Sequence, residues 1–450
     1  MGCGVSSSQK PGDLQVQQLR RRLTVAQLDK VDGQENGNED GADVERGLLQ
    51  KISDKSILEI ADELSKVLDN ADSTESPTKS ASGKTPKRRV SIGSETDKNA
   101  NKRQSFKKKD EYRIGDDLGE EEIRIGYSCR KGLKPESPNQ DSWFVLLQEN
   151  ELGIYGVFDG HGAKGHDVSN LVKLYLPKLI LTSEKFSEAP ESVMVSCFHR
   201  MQNLIQAHDR KGLLNAQLSG CTCTIVVHDM REDRLVVAHV GDSRAVLVRK
   251  EDGGDRVIAE DLTRDHKPDL KEERAYIERN GGRVAFDGFA NHRVYVKNGT
   301  YPGLNMSRAL GDLLGSTNAG INNTPEVRVI DLPRKTGGAP NGSALSADGT
   351  RAILLICSDG VWEFVSSNQA KDFAMRFDAR RAKDAAETLA KESWDRWIHE
   401  EGGCVVDDIY PVEKRRSHPR LVMQICMPSS TRRLTPDGSA HEEQASGAAY

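Results

Sequence analysis

The amino-acid sequence predicts an α+β fold of four layers, an α-β-β-α sandwich of two antiparallel sheets flanked by helices. Antiparallel pairing is indicated by β-prone runs at 221–228 and 235–240, which are joined by a short polar turn and followed by a third run at 245–249. Several β-prone runs are apolar on both faces, which requires a cover on each side of a sheet. Segments with helical spacing of apolar residues supply that cover.

The predicted elements follow one another through the middle and the end of the chain. Strands are predicted over 143–147, 154–158, 221–228, 235–240, 245–249 and 353–357. Helices are predicted over 165–182, 189–209, 270–280, 368–377 and 382–400. We assign all of these elements to one domain, residues 111–428.

Both ends of the chain are predicted to be disordered tails. Residues 1–110 are rich in Ser, Asp, Asn, Gly and Lys, apart from one amphipathic helix between 52 and 68, and residues 429–450 are similar. The sequence contains no apolar run of the ~18 residues that a membrane span needs and no secretory signal, which argues against a polytopic membrane protein and a secreted protein. Eight cysteines without a disulfide spacing favour a reducing compartment.

Charge is distributed unevenly along the chain. The net charge is −5, but residues 84–109 hold ten Lys or Arg and two acidic residues, so this segment carries +8 and the remainder −13. A chain that is acidic overall does not have the charge pattern of a nucleic-acid-binding protein. The basic segment therefore needs a local explanation.

The N-terminal sequence indicates a membrane as that explanation. MGCGVS matches the pattern for myristoylation of Gly2, and because one myristoyl chain binds weakly, a second signal is required. Palmitate on Cys3 and attraction of the basic segment to acidic lipids would supply it. We expect the chain at the cytoplasmic face of a membrane, the plasma membrane, with a cytosolic pool. Phosphorylation of Ser91 or Ser105, which follow basic residues, would weaken this attraction.

Aspartates follow four β-prone runs, and most of them adjoin glycine: Asp159, Asp242, Asp359 and Asp407 with its neighbour Asp408. An ionised carboxylate at the end of an apolar strand is costly unless it is paired or binds a metal. A turn or a helix N-cap explains one such aspartate, but four favour a cluster in which a divalent cation removes the mutual repulsion. Oxygen ligands favour Mg²⁺ or Mn²⁺ over zinc.

Two residues next to Asp159 fit the same site. Gly160 has no side chain to block its carbonyl oxygen from a metal. His161 would lie beside the ligands, and an ordinary histidine pKa near ~6.5 suits a general acid for a leaving alkoxide. A metal ligand and a structural turn residue are the alternatives for His161.

Six motifs occur in order between residues 122 and 410 and are GVFDGHG (156–162), SGCTCT (219–224), GDSR (241–244), LTRDHKP (262–268), SRALGD (307–312) and SDGVW (358–362). In these motifs the chain resembles the metal-dependent Ser/Thr protein phosphatases of type 2C. The resemblance implies two antiparallel sheets between helices, metals in a cleft at one edge, and phosphoprotein substrates. We expect a monomer.

The resemblance also implies roles for the residues named above. Asp159 would bridge two Mg²⁺ or Mn²⁺ ions, and Gly160 would contribute its carbonyl oxygen. The other direct carboxylates would be Asp359 and Asp407, and Asp242 would bind a weaker third ion. Water activated by the two ions would attack phosphorus in line, and the histidine of GVFDGHG would protonate the leaving oxygen.

Three departures from the family pattern affect this site. The family often has an arginine near the first strand that grips the substrate phosphate; Lys134 stands there in this chain, with Arg130 as the rival candidate. Gln140 replaces a glutamate before Asp141, so one acceptor for metal-bound water is uncharged. Glu363 replaces an aspartate near the third ion, and its longer side chain can still act as a ligand.

A fourth departure follows Asp407 and Asp408. Where the family continues into an apolar strand, this chain has YPVEKRR (410–416), whose proline and charges disfavour a central strand. Either this strand is distorted or 421–426 replaces it after an insertion, and either aspartate can be the last ligand. Residues 286–303 lie where the family has a flap beside the cleft, which we expect to select protein substrates.

Two functions are consistent with this sequence. The first is a membrane-tethered, metal-dependent phosphatase for phosphoserine and phosphothreonine. The alternative is a catalytically weak or inactive phosphatase-like scaffold that binds partners at the membrane, for which Lys134, Gln140 and the interrupted last strand are the reasons. The intact cluster around Asp159 favours the enzyme, because repelling carboxylates have no reason to stay together in a relic site.

Overall fold

Two antiparallel sheets packed face to face form the centre of the computed structural model, which describes residues 88–96, 108–116, 118, 123–132, 138–148, 151–183, 185–251, 254–288, 291–332, 350–400 and 420–428. These residues belong to one of the two units into which the chain divides, Asp72–Gly403 together with Arg415–Tyr450. Within the described ranges, no helix has the length and apolar character needed to cross a membrane.

The strands of the described residues are β1 (Arg89–Glu95), β2 (Asp110–Gly115), β3 (Ile125–Arg130), β4 (Ser142–Gln148), β5 (Leu152–Phe158), β6 (Gly160–His161), β7 (Gly220–Cys221), β8 (Cys223–Asp229), β9 (Arg234–Val240), β10 (Arg244–Lys250), β11 (Val257–Asp261), β12 (Gly282–Phe286), β13 (His292–Val296), β14 (Pro302–Leu304), β15 (Leu310–Gly311), β16 (Glu326–Asp331), β17 (Thr350–Cys357) and β18 (Arg420–Pro428). The α-helices are α1 (Gly165–Leu181), α2 (Pro190–Arg210), α3 (Lys271–Arg279), α4 (Leu313–Asn318), α5 (Asp359–Trp362), α6 (Ser367–Ala374) and α7 (Ala382–Glu400).

Strand order defines two large sheets. The first contains seven strands in the order β16-β9-β8-β5-β4-β1-β2, and the second contains five in the order β11-β10-β17-β18-β3. Neighbouring strands are antiparallel in both. The remaining strands form two small sheets, β15-β7-β6 and β12-β13-β14. The predicted strands and helices are therefore confirmed.

An apolar core fills the space between the two large sheets. Trp143 and Tyr155 of the first sheet and Leu247 and Leu354 of the second are buried there, and Tyr127 of β3 stacks on Trp143 with ring centroids 4.3 Å apart. Helices α1 and α2 pack on the first sheet, and α6 and α7 pack on the second. The predicted α-β-β-α sandwich is confirmed, and its rigid interior fixes where each strand ends.

The first strand lies in a segment that the sequence assigns to a disordered tail. β1 pairs with β4 on one side and β2 on the other, and Val90 and Ile92 are buried in the core. The predicted boundary at 110 is therefore wrong for residues 88–96 and 108–110, because strand pairing and two buried side chains outweigh the polar composition of the segment. Ser91 is held by backbone pairing on both sides, which a kinase would have to break.

The position of the last strand decides between the two alternatives that the sequence leaves open for the end of the domain. β18 lies between β17 and β3 in the second sheet, so of the two alternatives it is 421–426 that provides the strand. Several predicted features lie outside the described residues: Gly2, Cys3, the helix between 52 and 68, Ser105, Lys134, Asp407, Asp408, 410–416 and 429–450.

The segment predicted as a flap forms a small sheet of its own. β12, β13 and β14 pair in that order, and α3 precedes them in the chain. A separate apolar cluster that includes Ile277, Val294 and Ile321 holds this sheet and its surroundings together. Phe286, at the end of β12, is a large apolar side chain with 54% of its surface exposed.

Candidate active site

Strand register brings the predicted aspartates together. Ser142 lies opposite Phe158 in the first sheet, so Asp141 and Asp159 occupy neighbouring positions at the ends of β4 and β5. In the second sheet Arg244 lies opposite Cys357, which places Asp242, two residues before β10, near Asp359, the first residue of α5.

Electrostatics show how close these carboxyl groups are. Desolvation raises the pKa of Asp159 well above its usual value, and the charges of Asp141, Asp359 and Asp242 raise it further. Burial also raises the pKa of Asp141 to about 6, although hydrogen bonds from Asp159 and Ser358 oppose the shift. The neighbouring carboxylates thus disfavour ionisation of Asp159, and repulsion between like charges in the cluster is greatest at neutral pH.

The donor set fits a hard divalent cation. The Oδ1 atoms of Asp141 and Asp242 are buried and accept no hydrogen bond from the described residues, so acceptor oxygens remain available. Carboxylate oxygens are the ligands that Mg²⁺ and Mn²⁺ prefer, and a cation would remove the repulsion that raises the pKa of Asp159. Gly160 can be only glycine here, since a Cβ would lie 2.5 Å from the carbonyl oxygen of Gly165.

Two charged residues border Asp242 and Asp359. Lys267 donates from Nζ to Asp242 Oδ2 at 2.6 Å; burial lowers the pKa of this lysine, but Asp242 and its acidic neighbours raise it more. Glu363, at the end of α5, has its pKa raised by burial and by Asp359, so it lies beside the cluster as predicted. The sequence analysis did not identify Lys267, although it is part of the LTRDHKP motif.

His161 forms a close pair with an aspartate that the sequence analysis did not assign to the site. Its Nε2 lies 2.6 Å from Asp312 Oδ2, and the Asp312 side chain is completely buried, whereas that of His161 is 17% exposed. Asp312 has a left-handed backbone with φ of 44°, a strained conformation for a residue with a side chain. The sequence feature that could have assigned Asp312 to the site is its position at the end of the SRALGD motif.

Gln140 contacts backbone beside the cluster. Its Nε2 donates to the carbonyl oxygen of Gly162 at 2.6 Å, and Gly162 has φ of 78°, with the carbonyl of Leu218 only 2.3 Å from where a Cβ would be. The amide thus holds the turn that follows His161. A glutamate, which is ionised at neutral pH, could not donate this bond.

The two phosphate-binding candidates remain predictions. Arg130, the last residue of β3, places Nη2 3.4 Å from Glu387 Oε1 on α7, so its charge is at least partly compensated there. Its rival Lys134 and the last predicted ligand, Asp407, are outside the described residues.

A second group of potential metal ligands does not form a metal centre. Ligand atoms of His239, His266 and Glu326 lie within 4.8 Å of one another. However, the N–H of Gly241 donates to His266 Nδ1 at 3.1 Å, which leaves the proton on Nε2, and the two imidazole rings are stacked 4.3 Å apart and nearly parallel. Parallel rings direct their lone pairs side by side instead of at one ion, and hydrogen bonds to Arg264 connect His239 with Glu326.

Comparison with known proteins agrees with this geometry. The sequence model of the family "Protein phosphatase 2C" matches residues 134–400. "Probable protein phosphatase 2C 35" of Arabidopsis thaliana is 31% identical over 306 residues, which cover 62% of this chain and 80% of that protein. "Probable protein phosphatase 2C 48" of Oryza sativa subsp. japonica is 34% identical over 277 residues, which cover 57% and 72%.

A solved structure supports the fold. The crystal structure of serine-threonine phosphatase 2C from Toxoplasma gondii superposes with a TM-score of 0.50 at 19% identity and covers 67% of this chain and 94% of that one. The family match over residues 134–400 places the chain among the metal-dependent hydrolases. The chain belongs to the protein phosphatase 2C family and is a metal-dependent protein serine/threonine phosphatase, which confirms the family predicted from its motifs.

The raised pKa of Asp141 predicts how the stability of the metal-free protein depends on pH. Because its folded pKa is about 6 and its usual value 3.8, the stabilisation from the neutral carboxyl is complete below about pH 4 and is lost as the pH rises through 6. Asp141→Asn stays neutral, so in EDTA it should gain stability relative to wild type between pH 4 and 7, by up to about 3 kcal/mol. Urea unfolding at several pH values measures this, and a difference independent of pH would contradict it.

Proposed function

We propose that this phosphatase removes phosphate from phosphoserine and phosphothreonine in proteins by attack of water activated at a site for two Mg²⁺ or Mn²⁺ ions. The observation that carries the proposal is the convergence of Asp159, Asp141, Asp359 and Asp242, which raises the pKa of Asp159 well above its usual value. At neutral pH a bound cation would remove the repulsion in such a cluster.

The residues that would hold the ions come from separate segments. Asp159 and Asp359, with the carbonyl of Gly160 and the predicted ligand Asp407, would hold two ions, and Asp242 a third. When bound, the ions supply an activated water molecule and neutralise charge on the phosphoryl oxygens. Lys267 stays bound to Asp242 in the structure and keeps that carboxylate compensated.

His161 is suited to protonate the leaving oxygen of serine or threonine. The carboxylate of Asp312 lies 2.6 Å from Nε2 and fixes the orientation of the ring. A buried carboxylate also stabilises the protonated imidazole, the form that a general acid requires. Gln140 adds a second constraint, because it holds the carbonyl of Gly162 next to this histidine.

We further propose that acylation tethers the enzyme to a membrane. The support is the MGCGVS sequence, with Gly2 and Cys3 as acceptors, and the charge of +8 over residues 84–109. Tethering would place the enzyme at the cytoplasmic face of the plasma membrane. A cytosolic pool would remain, because a protein that carries only the myristoyl chain binds the membrane reversibly.

Asp159→Asn tests the catalytic proposal. Phosphate release from a phosphothreonine peptide in millimolar Mn²⁺ should fall by roughly 100-fold or more, because the substitution removes the charge at the centre of the cluster. EDTA should abolish the wild-type activity. Asp372→Asn, at a mostly exposed position of α6, is the matched control and should retain it. A normal rate for Asp159→Asn, or wild-type activity that persists in EDTA, would show that the assignment is wrong.

Asp312→Asn tests the histidine pair. The variant should lose about 100-fold in kcat on a phosphoserine peptide, because the serine oxygen needs a proton to leave. With p-nitrophenyl phosphate, whose leaving group needs little protonation, the loss should be much smaller. Calorimetric Mn²⁺ affinity should stay at the wild-type value, since Asp312 contacts His161. Equal losses with both substrates would argue against the general-acid role.

Gly2→Ala tests the tether. The variant cannot be myristoylated, so we expect it to move from the membrane pellet to the soluble fraction of lysed cells. Cys3→Ser, which removes only the palmitate acceptor, should give an intermediate distribution. Unchanged fractionation of Gly2→Ala would remove the lipid proposal.

A further inference from the structure

The segment before the matched family region contributes to the core of the structure. β1 and β2, within residues 88–116, extend the first sheet beyond β4, whereas the family match begins at residue 134. Val90 is completely buried, and the N–H of Trp143 donates to Ser94 Oγ at 3.0 Å. This segment therefore folds as part of the same unit as the carboxylate cluster.

Lys109 connects this segment to the backbone that carries Asp141. Only 8% of Lys109 is exposed, and its Nζ donates to the carbonyl oxygens of Asn139, at 3.2 Å, and of Asp141. The Nζ also lies 3.5 Å from Ser142 Oγ. The backbone N–H of Lys109 donates to the carbonyl of Cys129 on β3 at 3.0 Å, so the residue joins β3 of the second sheet to the residues that lead into β4 of the first.

These contacts act on the position of one carboxylate. Residues 139–142 form the approach to β4, and the Asp141 carboxylate projects from them to accept a hydrogen bond from Ser358 Oγ at 3.1 Å. An ammonium group with two or three fixed acceptors holds such a turn more firmly than backbone pairing alone. Loss of that group would leave the carbonyls of Asn139 and Asp141 buried without this donor.

A second buried lysine provides a comparison. Lys173 on α1 is 5% exposed and donates from Nζ to the carbonyl of Ser94 and to Asn170 Oδ1 at 3.2 Å. It contacts the same N-terminal strand β1, but among the described residues it donates no hydrogen bond to the backbone of 139–142 and is linked to that segment only through Asn170, whose Oδ1 also accepts from Ser142 Oγ at 2.9 Å. Removal of either lysine should affect folding similarly, whereas only Lys109 touches the backbone of the cluster.

We propose that β1, β2 and the described residues that flank them are an integral part of the catalytic unit and that Lys109 is a positioning residue, which holds residues 139–142 where the Asp141 carboxylate completes the metal-binding cluster. The inference rests on the proposed two-metal function. It means that the catalytic unit of this chain includes β1, which begins at Arg89, well ahead of the family match.

The test compares Lys109→Met with Lys173→Met in the full chain. Both should lower the free energy of unfolding measured in urea with EDTA. Calorimetric titration with Mn²⁺ should show affinity about 10- to 100-fold weaker for Lys109→Met, the usual effect of losing a group that orients a metal ligand, and unchanged for Lys173→Met. Equal or stronger Mn²⁺ affinity in folded Lys109→Met, or the same loss in both variants, would overturn the proposal.

Lys109→Gln keeps the test decisive if the methionine variant does not fold. Its amide can still donate to one carbonyl but carries no charge, so we expect Mn²⁺ affinity between those of wild type and Lys109→Met. Folded Lys109→Gln with wild-type affinity would also overturn the proposal. Wild-type protein that binds no Mn²⁺ would contradict the proposed function and, with it, this inference, whereas normal binding by wild type and by both Lys109 variants would contradict the inference alone.

Discussion

Repulsion between carboxylates held at the ends of β-strands is the constraint on which the rest of this structure depends. Asp159, Asp141 and Asp359 would separate in a flexible chain, because like charges repel: besides burial, the charges of Asp141 and Asp359 raise the pKa of Asp159. The sandwich prevents this separation. A strand end cannot move unless the strand register changes, and the dense core between the two sheets opposes such a change. The scaffold thus keeps the cluster in a form that favours binding of cations.

Two lysines stabilise the cluster in different ways. Lys267 contacts a carboxylate of the cluster directly, through Asp242 Oδ2. Lys109 contacts backbone carbonyls instead, and burial lowers its pKa while the nearby Asp141 charge raises it. The first lysine compensates charge where a weakly held ion is expected, and the second fixes a turn, so the two have different effects on the site despite the same side chain.

A residue of the site could be predicted from the sequence only where a local pattern marks it. Asp159, Asp242 and Asp359 follow apolar strands, so their pattern indicated where they lie, whereas the ions that they would bind stay a prediction. Asp312 lies 151 residues from His161, and a contact at that distance leaves no periodic trace in the chain. Lys109 was missed for another reason: it stands in a basic, polar segment in which only Val90 and Ile92 mark the core face of a strand.

The glutamine at position 140 shows how a departure from the family pattern can be consistent with the function. A glutamate there would add a further negative charge beside Asp141 and Asp159, whose pKa values are already raised by burial and by the charge of Asp359. Gln140 adds none, and its amide donates to the carbonyl of Gly162, a bond that a carboxylate cannot make. Compared with a glutamate, Gln140 lacks a charged acceptor for metal-bound water, but it lowers the repulsion in the cluster and fixes the turn beside the histidine. Gln140 alone is therefore no argument for an inactive scaffold.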